Sequence, residues 1–215
     1  MWRGALVMLA LLAAFLGLGV AMLAGVLDGV DRSLILELRG PGGRGDPLGS
    51  WGIEEAVRDL TAMGGTTLIV IFTAAAGLFL LVRERRRQAM VIVGVVLLAS
   101  LSKETAKALF DRARPDVVSQ EVIVQSASFP SGHTSMATAL YLILAVLVSS
   151  YGLAQRGRAL VYGVAILLAA LVGFSRVYLG VHWPSDVLAG WCLGAFWATA
   201  GWIVLGASGK AAEVR

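Results

Sequence analysis

The sequence has little charge and almost no cysteine. Only 15% of its 215 residues are charged, whereas 58% are hydrophobic. A disordered chain is excluded because so much apolar side chain cannot stay solvated, and a fold held by internal disulfides is excluded because Cys192 is the single cysteine. The net charge of +4 is too small and too dispersed for a nucleic-acid-binding groove. A mean hydropathy of +0.80 instead indicates a membrane protein.

Apolar segments suited to crossing a bilayer occur six times along the chain. A helix rises 1.5 Å per residue, so about 20 apolar residues span the roughly 30 Å hydrocarbon core. The predicted spans are residues 4–27, 61–82, 89–110, 134–154, 159–175 and 187–207. The apolar run of the first span is longer than the core of a signal peptide. We therefore expect a retained transmembrane helix, with removal of the segment as a signal peptide as the less favoured alternative. We expect an all-α integral membrane protein: one domain over residues 1–215, with six transmembrane helices in one bundle.

Arginines in the short loops predict the orientation of the spans. They lie between the second and third spans and between the fourth and fifth, at Arg83, Arg85, Arg86, Arg87, Arg156 and Arg158. Loops rich in Lys and Arg stay in the cytoplasm. Both termini are therefore expected in the cytoplasm, and residues 28–60, 103–133 and 176–186 face the periplasm or exterior. The small chain and compact loops favour a bacterial inner (cytoplasmic) membrane.

The extracytoplasmic segment 28–60, between the first two spans, is the one long insertion. Its centre, residues 40–43, is rich in turn-forming residues, and a short helix is predicted near 52–60, where Glu54 and Arg58 stand four residues apart. Apolar residues could rest the segment on the membrane interface, namely Leu34, Ile35, Leu36, Leu48 and Trp51. A simple cap and a segment that guides substrate fit the sequence equally well.

The first group of polar residues at the outer ends of the spans contains Lys107 and Arg114. They are seven residues apart, so on a continuing helix they would share one face, about 10 Å apart along the axis, until Pro115 ends the helix. Two cations on one face indicate an anion site. The alternative is that both side chains reach toward lipid headgroups.

The second group is Pro130, Ser131, Gly132 and His133, directly before the fourth span. Proline suits the first helical turn, and the following amides would then point out of the helix N-terminus, where they can bind an anion. Gly132 allows close approach of a ligand, and His133 supplies an acid or base. A plain helix start with an interfacial histidine is the alternative.

The third group runs from Ser175 and Arg176 to His182 and Asp186. Pro184 fits the first turn of the last helix, which places His182 just before that helix and Asp186 just inside it. The carboxylate could accept a hydrogen bond from the imidazole and fix its tautomer, as a nucleophilic histidine requires. A purely structural His–Asp pair is the alternative.

Together the three groups favour attack on a phosphoryl group, because the predicted topology places them at one membrane face and both histidines of the chain belong to them. Cations can hold the charge on the phosphoryl oxygens while a histidine attacks in line. We expect no cofactor and no metal, since three cations repel a divalent ion and the sequence has no cluster of ligands at metal-binding spacing.

The same residues resemble the signature of the type-2 phosphatidic acid phosphatase superfamily of membrane lipid phosphatases, including bacterial phosphatidylglycerol phosphate and undecaprenyl diphosphate phosphatases. Lys-x6-Arg-Pro, Pro-Ser-Gly-His and Ser-Arg-x5-His-x3-Asp all occur in order, within residues 103–190. The resemblance implies metal-independent hydrolysis at an extracytoplasmic site. It implies that His182 forms a phosphohistidine, that Asp186 orients His182 and that His133 protonates the leaving oxygen. The phosphate would be bound by Lys107, Arg114, Ser131, Gly132 and Arg176.

The lipid tail is left open, because these motifs contact only the phosphate. Undecaprenyl diphosphate or a broad range of lipid phosphates ranks first, including phosphatidylglycerol phosphate and phosphatidic acid. A lipid phosphotransferase and a lipid A phosphatase are the enzymatic alternatives. A membrane phosphate transporter is the non-enzymatic one, although a transporter would place its polar groups near the midplane. The expected partners are the lipid phosphate and the bilayer, with no nucleic acid, and the oligomeric state is left open.

Overall fold

The structure, a computed structural model, describes residues 2–40, 47–116 and 126–212. In those residues the chain forms eight helices and no extended strand. Their bounds are α1 Trp2–Leu23, α2 Asp28–Glu37, α3 Trp51–Ala62, α4 Thr66–Val82, α5 Arg86–Phe110, α6 Gly132–Ser149, α7 Gln155–Tyr178 and α8 Pro184–Ala212.

Within these described ranges, five helices are long and apolar enough to cross a membrane: α1, α5, α6, α7 and the Pro184–Gly206 part of α8. The predicted span 61–82 is not a single long helix. Helix α4 alone has 17 residues, and it is long and apolar enough to cross a membrane only together with α3, from which it is bent by 47°. The predicted all-helical membrane architecture is confirmed. The bend falls at Gly64 and Gly65, between the two helices.

Helix α6 forms the centre of the bundle. Most of its residues are buried, and it packs against α5, α7 and α8. Its contact with α8 is very close at Gly194, where an added Cβ would lie 2.5 Å from the carbonyl oxygen of Ser135. Only glycine fits between the two backbones at this point, and the close packing sets the N-terminal ends of α6 and α8 side by side.

The segment 28–60 is partly docked onto the bundle. Ile35 of α2 is fully buried against Val177 and Val187, so its predicted position at the membrane interface is wrong. Leu34, Leu36, Leu48 and Trp51 are exposed as expected. The short helix predicted near 52–60 is confirmed as α3, in which Arg58 donates to Glu54 at 2.6 Å. Most of the predicted turn at 40–43 lies outside the described residues.

The two ends of the bundle differ in character. At one end, Arg85, Arg86, Arg87 and Arg158 surround a single cavity between the starts of α5 and α7 and the end of α8. At the opposite end, α5 and α7 finish and α6 and α8 begin. All three motif groups lie at this second end, as the topology predicted from the arginine loops requires.

Candidate active site

A cavity of ≈ 540 Å³ lies at the end of the bundle where α6 and α8 begin. Six of the eight predicted site residues line it: Lys107, Arg114, Gly132, His133, Arg176 and His182. Its wall carries six cationic side chains and two carboxylates, those of Arg39, Arg58, Lys103, Lys107, Arg114, Arg176, Glu54 and Glu104. This excess of positive charge suits an anionic ligand.

His182 lies in the short connection between α7 and α8 and is almost fully buried. Its Nδ1 is 3.4 Å from Oδ2 of Asp186 and 3.3 Å from Oγ of Ser128. Its Nε2 is 3.2 Å from a guanidinium nitrogen of Arg114. Because arginine can only donate, Nε2 must accept and the ring proton must be on Nδ1. The structure thus brings His182 and Asp186 together as expected, with the lone pair of Nε2 on the cavity side.

Burial keeps the His182 imidazole uncharged. It lowers the pKa of His182 to about 4, and the positive charges of Arg176 and Arg114 lower it further, while Asp186 opposes the shift. At pH 7 the ring is therefore neutral, and Nε2 has an unprotonated lone pair. Burial also lowers the pKa of Arg114 below its ordinary value. The guanidinium nevertheless stays charged at neutral pH, because its ordinary pKa is so high.

Lys107 and Arg114 meet in a way that the helical spacing did not predict. Helix α5 ends at Phe110, and Asp111 adopts the left-handed conformation with φ of 38°. The expectation that the two cations share one face of a continuing helix is therefore wrong, because the chain turns between them. Ser126 joins them instead: its Oγ accepts from Lys107 Nζ at 3.3 Å and from Arg114 at 3.1 Å.

Arg176 is buried in the last turn of α7. One guanidinium nitrogen donates to Thr61 Oγ1 at 2.8 Å, from the end of α3. The Nε of Arg176 is also buried, and within the described part of the chain it makes no hydrogen bond. Arg176 also lines the cavity, so that its guanidinium adds to the positive charge there.

The start of α6 supplies two further donors. The helix begins at Gly132, so the amides of Gly132 and His133 belong to its first turn and have no earlier helical carbonyl to bind. A free Ser131 amide, also expected, is not found: it donates to the backbone carbonyl of Asp186 at 3.0 Å. Ser131 itself is fully buried, does not line the cavity, and accepts a hydrogen bond from Thr134.

His133 is held from the other side by the break between α3 and α4. A Cβ added at Gly64 would lie 2.8 Å from the carbonyl oxygen of His133 and 2.6 Å from Val172. The absence of a side chain at Gly64 therefore allows the bent α3–α4 pair to approach the start of α6. The bend contributes Thr61, Gly64 and Thr66 to the cavity wall.

Asp186 has partners that sequence reasoning missed. It is fully buried, and its Oδ1 accepts from Arg112 at 2.6 Å, while Oδ2 accepts from Ser128 Oγ and from the Trp183 amide. Arg112 also donates to Asp31 of α2 at 2.8 Å. Arg112 lies inside the first motif, between Lys107 and Arg114. A third cation near a membrane surface was the signal from which a role for Arg112 could have been predicted. Within the described ranges, no three His, Cys, Asp or Glu side chains group so as to hold a metal ion.

A family model described as the PAP2 superfamily matches residues 88–210, which is more than half of the chain and includes all three motifs. The chain belongs to the PAP2 superfamily. The family resemblance predicted from the motifs is thereby confirmed. Residues 2–82 contribute Asp31, Thr61 and Gly64 to the site and its surroundings, and they lie outside the residues matched by the PAP2 model.

Relatives in the PAP2 superfamily include phosphatidylglycerophosphatase B of Bacillus subtilis, 42% identical over 95 residues, which are 44% of this chain and 46% of that protein. Undecaprenyl-diphosphatase of Sulfolobus acidocaldarius is 41% identical over 69 residues, 32% of this chain and 29% of that protein. The chain thus spans less than half the length of these curated relatives.

The fold is similar to a crystal structure over nearly its full length. That structure is a transmembrane PAP2-type phosphatidylglycerolphosphate phosphatase from Bacillus subtilis, with a TM-score of 0.76 and 28% sequence identity. The similarity covers 94% of this chain and 96% of the other. It therefore extends beyond the residues of the family match, and it supports a multi-pass membrane protein.

Proposed function

We propose that this PAP2 protein is a metal-independent phosphatase that hydrolyses a lipid phosphate or diphosphate monoester. The observation that carries the proposal is the neutral His182, with its Nε2 lone pair directed into a cavity among Lys107, Arg114 and Arg176. An uncharged nucleophile surrounded by fixed cations suits attack on a phosphoryl group. Cations that already compensate the phosphate charge make a divalent metal unnecessary for that purpose.

The first step would form a phosphohistidine. Lys107, Arg114, Arg176 and the amides of Gly132 and His133 would hold the phosphoryl oxygens, and Arg114 would donate to one of them instead of to Nε2. Nε2 of His182 then attacks phosphorus, so that a P–N bond forms and the P–O bond to the lipid breaks. The positive charge that develops on the ring is stabilised by Asp186 through Nδ1.

His133 would transfer protons in both steps. In the complex with the lipid phosphate, His133 would begin with a proton on both ring nitrogens and would donate one of them to the oxygen of the departing lipid alcohol, or of the lipid monophosphate where the substrate is a diphosphate. It then accepts a proton from the water that attacks the phosphohistidine. The P–N bond breaks, its electron pair returns to Nε2 of His182, inorganic phosphate is released, and His133 is protonated again.

Six spans, with α3 and α4 counted as one bent span, would place this site at the outer surface of a bacterial inner membrane. The arginine-rich end of the bundle would then face the cytoplasm, together with both termini, and the cavity the periplasm or exterior. The names of the two curated relatives support phosphatidylglycerol phosphate and undecaprenyl diphosphate as substrates to test first.

The test is phosphate release by detergent-purified protein in excess EDTA. The substrates are undecaprenyl diphosphate, phosphatidylglycerol phosphate and phosphatidic acid, and His182→Ala is compared with His182→Asn, which keeps a side chain of similar shape. We expect turnover of at least one lipid in EDTA, its loss in both variants, and an acid-labile phosphate on the wild-type peptide that contains residue 182.

Three results would contradict the proposal. Loss of activity in EDTA with recovery on adding Mg²⁺ would show a metal-dependent reaction. Full activity of both His182 variants would place the nucleophile elsewhere. Phosphate binding without release from any of the lipids would favour a transferase that requires an acceptor, or an anion-binding membrane protein.

A further inference from the structure

A chain of buried charges connects helix α2 to the catalytic pair. Asp31 of α2, Arg112 after α5 and Asp186 of α8 are all almost completely buried. Two nitrogens of one guanidinium bind the two carboxylates: one donates to Asp31 Oδ2 at 2.8 Å, the other to Asp186 Oδ1 at 2.6 Å. We call these three residues the charge relay support, since they end at the carboxylate that binds His182.

Two members of the charge relay support, Asp31 and Arg112, have further contacts that fix their positions. Asp31 accepts from the Ser185 amide at 2.9 Å and from the Ser185 hydroxyl. Arg112 donates to the same hydroxyl at 2.7 Å, and its guanidinium lies 5.4 Å from the ring centre of Trp183. Because Ser185 precedes Asp186 in the chain, Asp31 also fixes the backbone that carries the carboxylate.

Asp31 and Arg112 do not line the cavity, so they are placed to act through Asp186 and not on a substrate. With Arg112 on Oδ1, the other oxygen of Asp186 is directed to Nδ1 of His182. The two charges of Asp31 and Arg112 also compensate each other. The negative charge of Asp186 can consequently stabilise a positive charge on His182, while Arg112 fixes the orientation of the Asp186 carboxylate.

We propose that Asp31 and Arg112 are positioning residues for His182, and that α2 is therefore part of the reaction machinery and not a cover over the bundle. The proposal rests on the proposed function in so far as His182 is the nucleophile. A guanidinium is required in this place because its planar fork can bind two carboxylates at once, which an ammonium group cannot do in the same geometry.

The decisive comparison is Asp31→Asn with Asp28→Asn. Both substitutions remove one carboxylate charge from α2, but the Asp28 side chain is 71% exposed and lies 3.8 Å from Arg112. We expect kcat of Asp31→Asn to fall about tenfold or more with KM within about twofold, as for other residues that orient a functional group. We expect both constants of Asp28→Asn to stay within about twofold of the wild type.

Arg112→Lys tests geometry with the charge retained. We expect its kcat to fall at least as far as that of Asp31→Asn, again without a matching change in KM. An unchanged kcat in either variant would overturn the proposal, as would a rise in KM alone or an equal loss in Asp28→Asn. Failure of both variants to elute as folded, monodisperse protein would also overturn it, in favour of a purely structural role.

A second measurement separates this proposal from the proposed function. The rate at which diethyl pyrocarbonate modifies His182 is followed by mass spectrometry, with His133 in the same sample as the reference. We expect a slower reaction of His182 in Asp31→Asn and an unchanged one in Asp28→Asn. If wild-type protein releases no phosphate but the two variants differ in this way, the proposed phosphatase activity is refuted and the positioning role is kept. Equal rates would refute the positioning role, whatever the enzyme assay shows.

Discussion

Replacing Asp186 with asparagine should inactivate the protein almost completely, because the amide cannot satisfy the partners of the carboxylate. Oδ1 of Asp186 receives a hydrogen bond from Arg112, and Oδ2 receives those of Ser128 and the Trp183 amide and lies near Nδ1 of His182. Asparagine has one acceptor oxygen and one NH2 group. In either orientation, an N–H would face groups that themselves donate.

The orientation with the amide oxygen on Arg112 is favoured, since the guanidinium is charged and lies at 2.6 Å. The NH2 group then faces Nδ1 of His182 and requires it to accept, which moves the ring proton to Nε2. Nε2–H would be directed at Arg114, 3.2 Å away, and would have no lone pair for phosphorus. A wrong tautomer in a catalytic histidine costs up to about 10⁴-fold in kcat, or about 5 kcal/mol of transition-state stabilisation.

The assay is kcat for phosphate release, with Asp116→Asn as the matched control because that side chain is 79% exposed. We expect a loss of about 10³- to 10⁴-fold for Asp186→Asn and none for Asp116→Asn. Histidine-selective ¹⁵N NMR reports the tautomer directly. Asp186→Asn with more than a tenth of wild-type kcat, or with the proton still on Nδ1, would refute the reasoning.

Three further predictions concern protonation, the phosphate site and packing. Because burial lowers the pKa of His182 to about 4, its ¹⁵N shifts should be constant from pH 8 to 5 and titrate near pH 4; a midpoint near 6.5 would contradict this. Gly132→Ala should raise KM about tenfold, because a methyl group there would hinder the close approach of the phosphate. Its melting temperature should not change, since the new methyl would be 3.6 Å from Lys103, an ordinary contact. Gly194→Ala should lower the melting temperature markedly, because its Cβ would meet backbone at 2.5 Å. Gly17→Ala should leave the melting temperature unchanged, because residue 17 faces open space. Equal melting temperatures for the two variants would show that α6 and α8 can separate.

The sequence was sufficient to predict the helical membrane fold and most of the cavity. Apolar runs and arginine-rich loops are local signals, and together they placed the three motifs at one end of the bundle. The bent α3–α4 pair was not predicted, because hydropathy measures how apolar a segment is and not its direction at Gly64 and Gly65. Lys107 and Arg114 were assigned to one helical face for a similar reason. The left-handed Asp111 that ends α5 has no strong sequence signal.

Asp31 could not have been found from sequence spacing, since it lies 154 residues before its partner Ser185 and in a segment that matches no motif. One acidic residue near a membrane surface is ordinary, and only its burial beside Arg112 distinguishes Asp31 from other acidic residues of the segment. Arg112 was visible within the first motif, but its neighbour Arg114 has the motif position. Which arginine faces the cavity is decided by the turn after Phe110, a tertiary feature.

The electrostatics of the site explain why a second carboxylate stands behind Asp186. Arg114 and Arg176 suit phosphate binding, but the same charges disfavour the positive charge that His182 would gain in the proposed attack, and Asp186 would have to offset them. A buried Asp186 itself needs a partner, yet Arg112 alone would cancel the charge that His182 requires. Asp31 resolves the conflict, because it compensates Arg112 and leaves Asp186 effectively negative toward the imidazole. Asp31→Asn should therefore weaken His182 as a nucleophile even though every residue proposed to contact the substrate is unchanged.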